Sequence, residues 1–141
     1  MKKGDLILLG GAVLLVLGAS GAAVVMGRLS TDQIVNVARN AGFSGDDLVT
    51  AVSIALAESG GNPKALGDIG IGQGSFGLWQ INSYYHPEYG PDFTVLYDPQ
   101  TNANAAYSVY SLAGFNFKPW STFKNGAYAK YVSPVQGVLN A

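Results

Sequence analysis

From Leu6 to Met26 the chain runs 21 residues without a charge. That is long enough to cross the hydrocarbon core of a bilayer, about 30 Å, as a helix. Lys2, Lys3 and Asp5 precede the run and Arg28 follows it, so the chain divides into an expected N-terminal transmembrane helix over residues 1–28 and a domain over 29–141. The 113 residues of that second part suffice for one hydrophobic core. Lys2 and Lys3 favour a cytoplasmic N-terminus, with the rest of the chain on the outer face. The alternative is a cleaved signal peptide, with Leu6 to Leu17 as its apolar region and Ala19 to Ala23 as a small-residue cleavage zone. Val24, Val25 and Met26 carry apolar character past that zone, which a signal peptide does not need. Ala19, Ala23 and Gly27 form a small-xxx-small stripe on which two anchors could self-associate.

Composition removes several chemistries. Eight Lys and Arg against nine Asp and Glu leave a net charge of −1, without the basic field that nucleic-acid binding needs. With no Cys and His86 alone, neither a thiolate nucleophile nor a histidine-rich metal site can be built. Carboxylates, hydroxyls and amides remain. Charge is also unevenly placed: Leu29 to Asp98 sums to −6, and Pro99 to Ala141 to +3. All the aromatic residues except Phe43 lie from Phe76 onward, giving the later chain flat faces for packing or for stacking on sugars.

The domain reads as mainly helical. Ser30-Thr31-Asp32-Gln33 is a capping-box pattern, so a first helix is expected over Asp32 to Ala41, with Ile34, Val37, Ala38 and Ala41 on one face and Gly42 as its stop. Ser44, with Asp47 three residues on, opens a second helix that runs to Glu58 and is apolar nearly all round, hence buried. Gly60 to Gly77 holds seven Gly in 18 residues, a loop or short β-hairpin with no room for a regular helix. Its Gly70-x-Gly72-x-Gly74 has no following Gly-Lys-Ser/Thr and no preceding strand, so it is not a phosphate loop. Asp98-Pro99 caps a third helix reaching Gly114, and shorter helices are expected at Ala127 to Val132 and Pro134 to Leu139.

Glu58 breaks the local pattern. It follows an apolar run and sits in the last turn of a helix, where the macrodipole disfavours an anion, and both effects favour its neutral form. A carboxylic acid kept protonated near neutral pH is what cleavage of a glycosidic bond requires, because it donates a proton to the leaving oxygen.

Glu58-Ser59-Gly60-Gly61-Asn62-Pro63, Gly67-Asp68 and Ser75-Phe76-Gly77-Leu78-Trp79-Gln80-Ile81-Asn82 stand in an order and spacing that resemble the lysozyme-like superfamily of soluble lytic transglycosylases and goose-type lysozymes. The resemblance continues through Tyr97-Asp98-Pro99 and Asn102-Ala103-Asn104-Ala105-Ala106-Tyr107 to Pro119-Trp120-Ser121-Thr122-Phe123, covering about Ile34 to Tyr128. It implies an α+β lysozyme-like fold that cleaves the MurNAc–GlcNAc β-1,4 bond of peptidoglycan without metal or organic cofactor. Glu58 then resembles the catalytic acid and Ser59 the hydroxyl that accompanies it. Gln80 matches the glycan-binding Gln of Gly-Leu-x-Gln, and Gly77 lets backbone approach it closely. Asn102 resembles an Asn that supports the groove. Trp79 is read either as a sugar-stacking face or as a plug between loop and helices, and Trp120 joins the expected substrate-binding residues.

Two chemical outcomes remain open. Inverting hydrolysis needs a second carboxylate about 6.5 to 9.5 Å from the acid, and Asp68 is the candidate; Asn82 stands where related enzymes can carry another Asp. Lytic transglycosylation needs only Glu58, and the sequence leans that way. Asp68 is otherwise a turn residue. The Ala-Tyr-Asn motif, whose Tyr faces the acid in relatives, is absent: Trp120-Ser121-Thr122-Phe123 stands in its place, and Tyr107 and Tyr128 lack the surrounding motif. His86-Pro87-Glu88 reads as a surface turn, and no nucleophile-elbow sequence supports a triad of Ser59, His86 and an Asp. The expected setting is a bacterial envelope or the particle of a membrane-containing bacteriophage. The alternative function is a non-catalytic peptidoglycan-binding protein.

Overall fold

The computed structural model describes residues 27–141 throughout and, before them, the backbone of β1 (Leu6–Leu9), β2 (Ala12–Leu17) and β3 (Ala22–Val25). These three pair antiparallel, with Leu6 opposite Leu15 and Leu14 opposite Val25. The apolar run predicts a single transmembrane helix here, whereas no helix among the described residues is long and apolar enough to cross a membrane. The other residues of the expected anchor at 6–26 lie outside the described ones.

Helix α1 (Thr31–Ala41) starts at the predicted capping box: Ser30 Oγ accepts from the Gln33 amide at 3.2 Å, and the Ser30 amide donates to Gln33 Oε1 at 2.8 Å. Ile34, Val35 and Ala38 are buried, so the inward face is turned one residue from the predicted Val37 and Ala41 edge. Helix α2 (Gly45–Ser59) begins at Ser44, but the Ser44 hydroxyl makes no capping bond. Asp46 and Asp47 supply the favourable charge in its first turn, and the Asp47 carboxylate accepts the Tyr110 hydroxyl. Leu48, Val49, Ala51, Val52, Ile54 and Ala55 are all buried. A helix apolar on every side must be covered on every side, and α2 packs against α1, α4 (Ser121–Lys124) and α5 (Val132–Leu139).

The glycine-rich segment folds as a miniature antiparallel sheet of β4 (Leu66–Gly67), β5 (Ser75–Phe76) and β6 (Ile81–Asn82), with Leu66 opposite Phe76 and Phe76 opposite Ile81. Two-residue strands cannot hold such a sheet alone. Helix α3 (Pro99–Leu112) holds it. Asp98 caps this helix by accepting from the Thr101 amide at 2.9 Å. In its first turn Asn102, fully buried, donates to the carbonyls of Phe76 at 2.8 Å and Leu96 at 2.9 Å and accepts from the Trp79 amide at 2.8 Å. The two predicted C-terminal helices are one element: a 3-10 turn at Ala129–Tyr131 runs into α5, with Pro134 accommodated in the first turn. The domain is mainly helical with one small sheet.

Asn102→Ala leaves three buried backbone groups without partners, at a cost of about 1 to 3 kcal/mol for each unmade bond. Chemical denaturation is expected to show a loss of about 3 kcal/mol or more; a loss under about 0.5 kcal/mol contradicts the role given to this side chain.

Candidate active site

The sheet, the C-terminal end of α2 and the start of α4 enclose a cleft of about 440 Å³. Glu58, Asp68, Gln80, Asn82, Trp120 and Lys124 line it, as do Tyr85 and His86. Glu58 reaches the cleft because α2 stops one residue later. Gly60 adopts the left-handed conformation, φ 61°, and its amide closes the helix on Leu56 O at 2.8 Å. Arg28 donates to the Gly60 carbonyl at 2.7 Å, and the Leu29 amide donates to the Gly61 carbonyl at 2.7 Å. The domain's first residues therefore tie down the turn that follows Glu58.

Burial is the main reason that the Glu58 carboxyl is raised from 4.5 to about 7. The negative charge of Asp68 adds to the rise, and the nearby Thr122 hydroxyl opposes it. A carboxyl poised near neutrality on the wall of a cleft suits general acid–base chemistry.

Asp68 projects from the loop after β4 with φ 49°. It closes a turn and also faces the cleft. Its carbonyl accepts the Ile71 amide at 3.0 Å, closing the turn, and its carboxylate lines the cleft and accepts the buried Ser75 hydroxyl at 2.7 Å. Asn82 donates to that same hydroxyl at 3.0 Å. The chain Asn82–Ser75–Asp68 fixes the direction of the carboxylate.

Several expected substrate contacts are engaged elsewhere. The Ser59 hydroxyl donates to Ala55 O at 2.8 Å and accepts from the Gly61 amide at 3.2 Å, so it shapes the helix end. Gly77 is buried with φ 79°, and a Cβ there would collide with the Asn102 amide and the Leu96 carbonyl. The close approach that requires glycine is made by Asn102, not by glycan. Trp79 is fully buried, stacks on Phe43 and donates its indole N–H to Ala51 O at 2.9 Å, which makes it the plug between sheet and helices. Gln80 lines the cleft, but its amide group donates to Ala65 O at 3.1 Å and Gly77 O at 3.0 Å, leaving Oε1 as its free polar atom. Trp120 lines the cleft while its indole N–H donates to Trp79 O at 2.9 Å. Tyr107 packs edge-on to Phe43 and Tyr128 against Phe123, and neither lines the cleft.

Ser75 and Lys124 line the cleft and Thr122 acts on Glu58, and none of the three is singled out for the site by the sequence; Asn82, read there only as standing in the place of an Asp, lines the cleft as well. Ser75 and Asn82 bracket the quoted Gly-Leu-x-Gln stretch, and strand alternation across β5 and β6 would have paired them. Nothing in the local pattern marks Thr122.

Because the folded-state value of about 7 lies above the ordinary 4.5, folding takes up a proton between them, and stability falls as pH rises through that window. Glu58→Gln removes this loss. Its melting temperature is expected to exceed that of the wild type above about pH 7 and the gap to close below about pH 4.5. A gap independent of pH contradicts the raised value.

A family model described as a lysozyme-like domain matches residues 35–122. No curated protein and no solved structure matches the chain. The match begins in α1, takes in Glu58, the miniature sheet and Asn102, and ends at Thr122 within α4, so it covers most of the residues that line the cleft. The chain belongs to the lysozyme-like domain family, whose members point to peptidoglycan as the substrate.

Proposed function

We propose that the protein is a lytic transglycosylase that opens peptidoglycan by cleaving the MurNAc–GlcNAc β-1,4 bond, with Glu58 as acid and then base. The observation that carries this reading is a half-buried carboxyl on the cleft wall whose pKa is held at about 7. Protonated Glu58 gives its proton to the glycosidic oxygen as the bond to the muramic C1 breaks. The resulting carboxylate then takes the proton of the muramic C6 hydroxyl as that oxygen closes on C1. The product is a 1,6-anhydro end, and Glu58 is protonated again.

A second reading, hydrolysis, is favoured by one observation: Asp68 lines the same cleft, and its carboxylate is oriented by Ser75. In that case Asp68 activates water on the face opposite Glu58. The 21 uncharged residues from Leu6 to Met26 support a membrane-held enzyme acting on the wall side of a bacterial envelope or from a membrane-containing phage particle. Inside a bilayer such a segment must satisfy its backbone internally, which for a single span means a helix.

Full-length protein and its Glu58→Gln variant, solubilised in mild detergent, are to be incubated with peptidoglycan and the released muropeptides read by mass spectrometry. Anhydro-muramic ends from the wild type, reduced at least about 100-fold in the variant, are expected. Reducing ends in their place make the enzyme a hydrolase and Asp68 its base. If both proteins bind the wall and release nothing, the protein is a binding module. The catalytic step needs protonated Glu58, so the wild-type rate is expected to fall as pH rises through about 7; a rate that climbs through that range contradicts the acid role.

A further inference from the structure

One buried polar atom stands out from an otherwise satisfied interior. Among the described residues, Thr122 Oγ1 is the only buried side-chain nitrogen or oxygen with no hydrogen-bond partner. Burying a hydroxyl without a partner costs stability, and valine has nearly its shape, so packing alone gives no reason for threonine. Thr122 sits in the first turn of α4, between Ser121 and Lys124 on the cleft wall, and α4 packs against α2, which carries Glu58. The neighbours fix it there. Trp120 before it is anchored by its indole to Trp79 O, Phe123 after it packs on Phe117 and Tyr128, and the Thr122 carbonyl accepts the Tyr128 amide at 3.1 Å.

The hydroxyl lies near enough to the Glu58 carboxyl to favour its ionised form. Catalytic hydrogen bonds are often slack in a free enzyme and tighten when substrate fills the site. We propose that Thr122 is the positioning residue of Glu58: its hydroxyl holds one carboxyl oxygen and leaves the other facing the cleft. A hydroxyl suits both halves of the reaction proposed above, on which this inference rests. It accepts from the protonated acid and donates to the carboxylate left behind. Asp68, Lys124, Tyr85 and His86 are the other titratable groups on the cleft, and of these the Asp68 charge acts on Glu58. Thr122 acts from within the protein, where a hydrogen bond is stronger.

The test uses full-length wild type, Thr122→Val and Thr122→Ser. The Glu58 carboxyl is titrated by ¹³C NMR, and muropeptide release is followed against pH. Removing the donor from the carboxylate is expected to raise the Glu58 pKa by about one unit and to move the high-pH limb of the rate profile with it. It should lower kcat about tenfold with KM within about twofold, and Thr122→Ser is expected to restore all three. An unchanged titration in Thr122→Val, with a melting temperature at or above that of the wild type, overturns the proposal and leaves Thr122 as packing. The titration needs no turnover. If the wild type releases nothing, the functional reading fails, while the NMR shift and its recovery in Thr122→Ser still decide whether this hydroxyl holds Glu58.

Discussion

Helix α2 is the constraint on which the rest of the domain depends. Its residues from Leu48 to Ala55 are apolar around most of its circumference, so it is stable only with α1, α4 and α5 packed around it. Burying side chains of this size contributes about 1.5 to 3 kcal/mol each, which outweighs the cost of leaving one carboxyl half desolvated at the helix end. Glu58 is carried to the boundary of the core by that packing. Its altered acidity thus follows directly from the way the fold is stabilised.

The opposite wall of the cleft is held by polar groups rather than by apolar area. Strands of two residues have little to bury, and the miniature sheet keeps its shape because Asn102 reaches three backbone groups from α3. Trp79 and Trp120 lock the same junction through their indole N–H groups. Such a network fixes direction as well as distance. Asp68, at the edge of this sheet, is aimed into the cleft by Ser75 and Asn82, and its charge is felt by Glu58. One wall supplies a carboxyl made reluctant to ionise by burial, and the other a carboxylate oriented by hydrogen bonds.

The helices were legible in the sequence because their signals are local: the capping box at Ser30 and Gln33, the cap and proline at Asp98-Pro99, and the apolar run of α2. Glu58 was legible because it contradicts its surroundings. The substrate contacts were less so, since Ser59, Gly77 and Trp79 are residue types that serve structure and binding equally, and only tertiary context assigns them to structure. Thr122 was invisible for another reason: a hydroxyl in a short helix gains its meaning from a carboxyl 64 positions away in the chain.

The central claim is that a glycosidic oxygen meets Glu58 inside this cleft. A crystal structure of the full-length Glu58→Gln variant with a MurNAc–GlcNAc oligosaccharide tests it most directly. The account predicts the scissile oxygen about 2.6 to 3.2 Å from the substituted side chain at position 58, with Asp68 on the wall across from it and Thr122 behind. Sugar bound along another face, or a glycosidic bond out of reach of position 58, would contradict it.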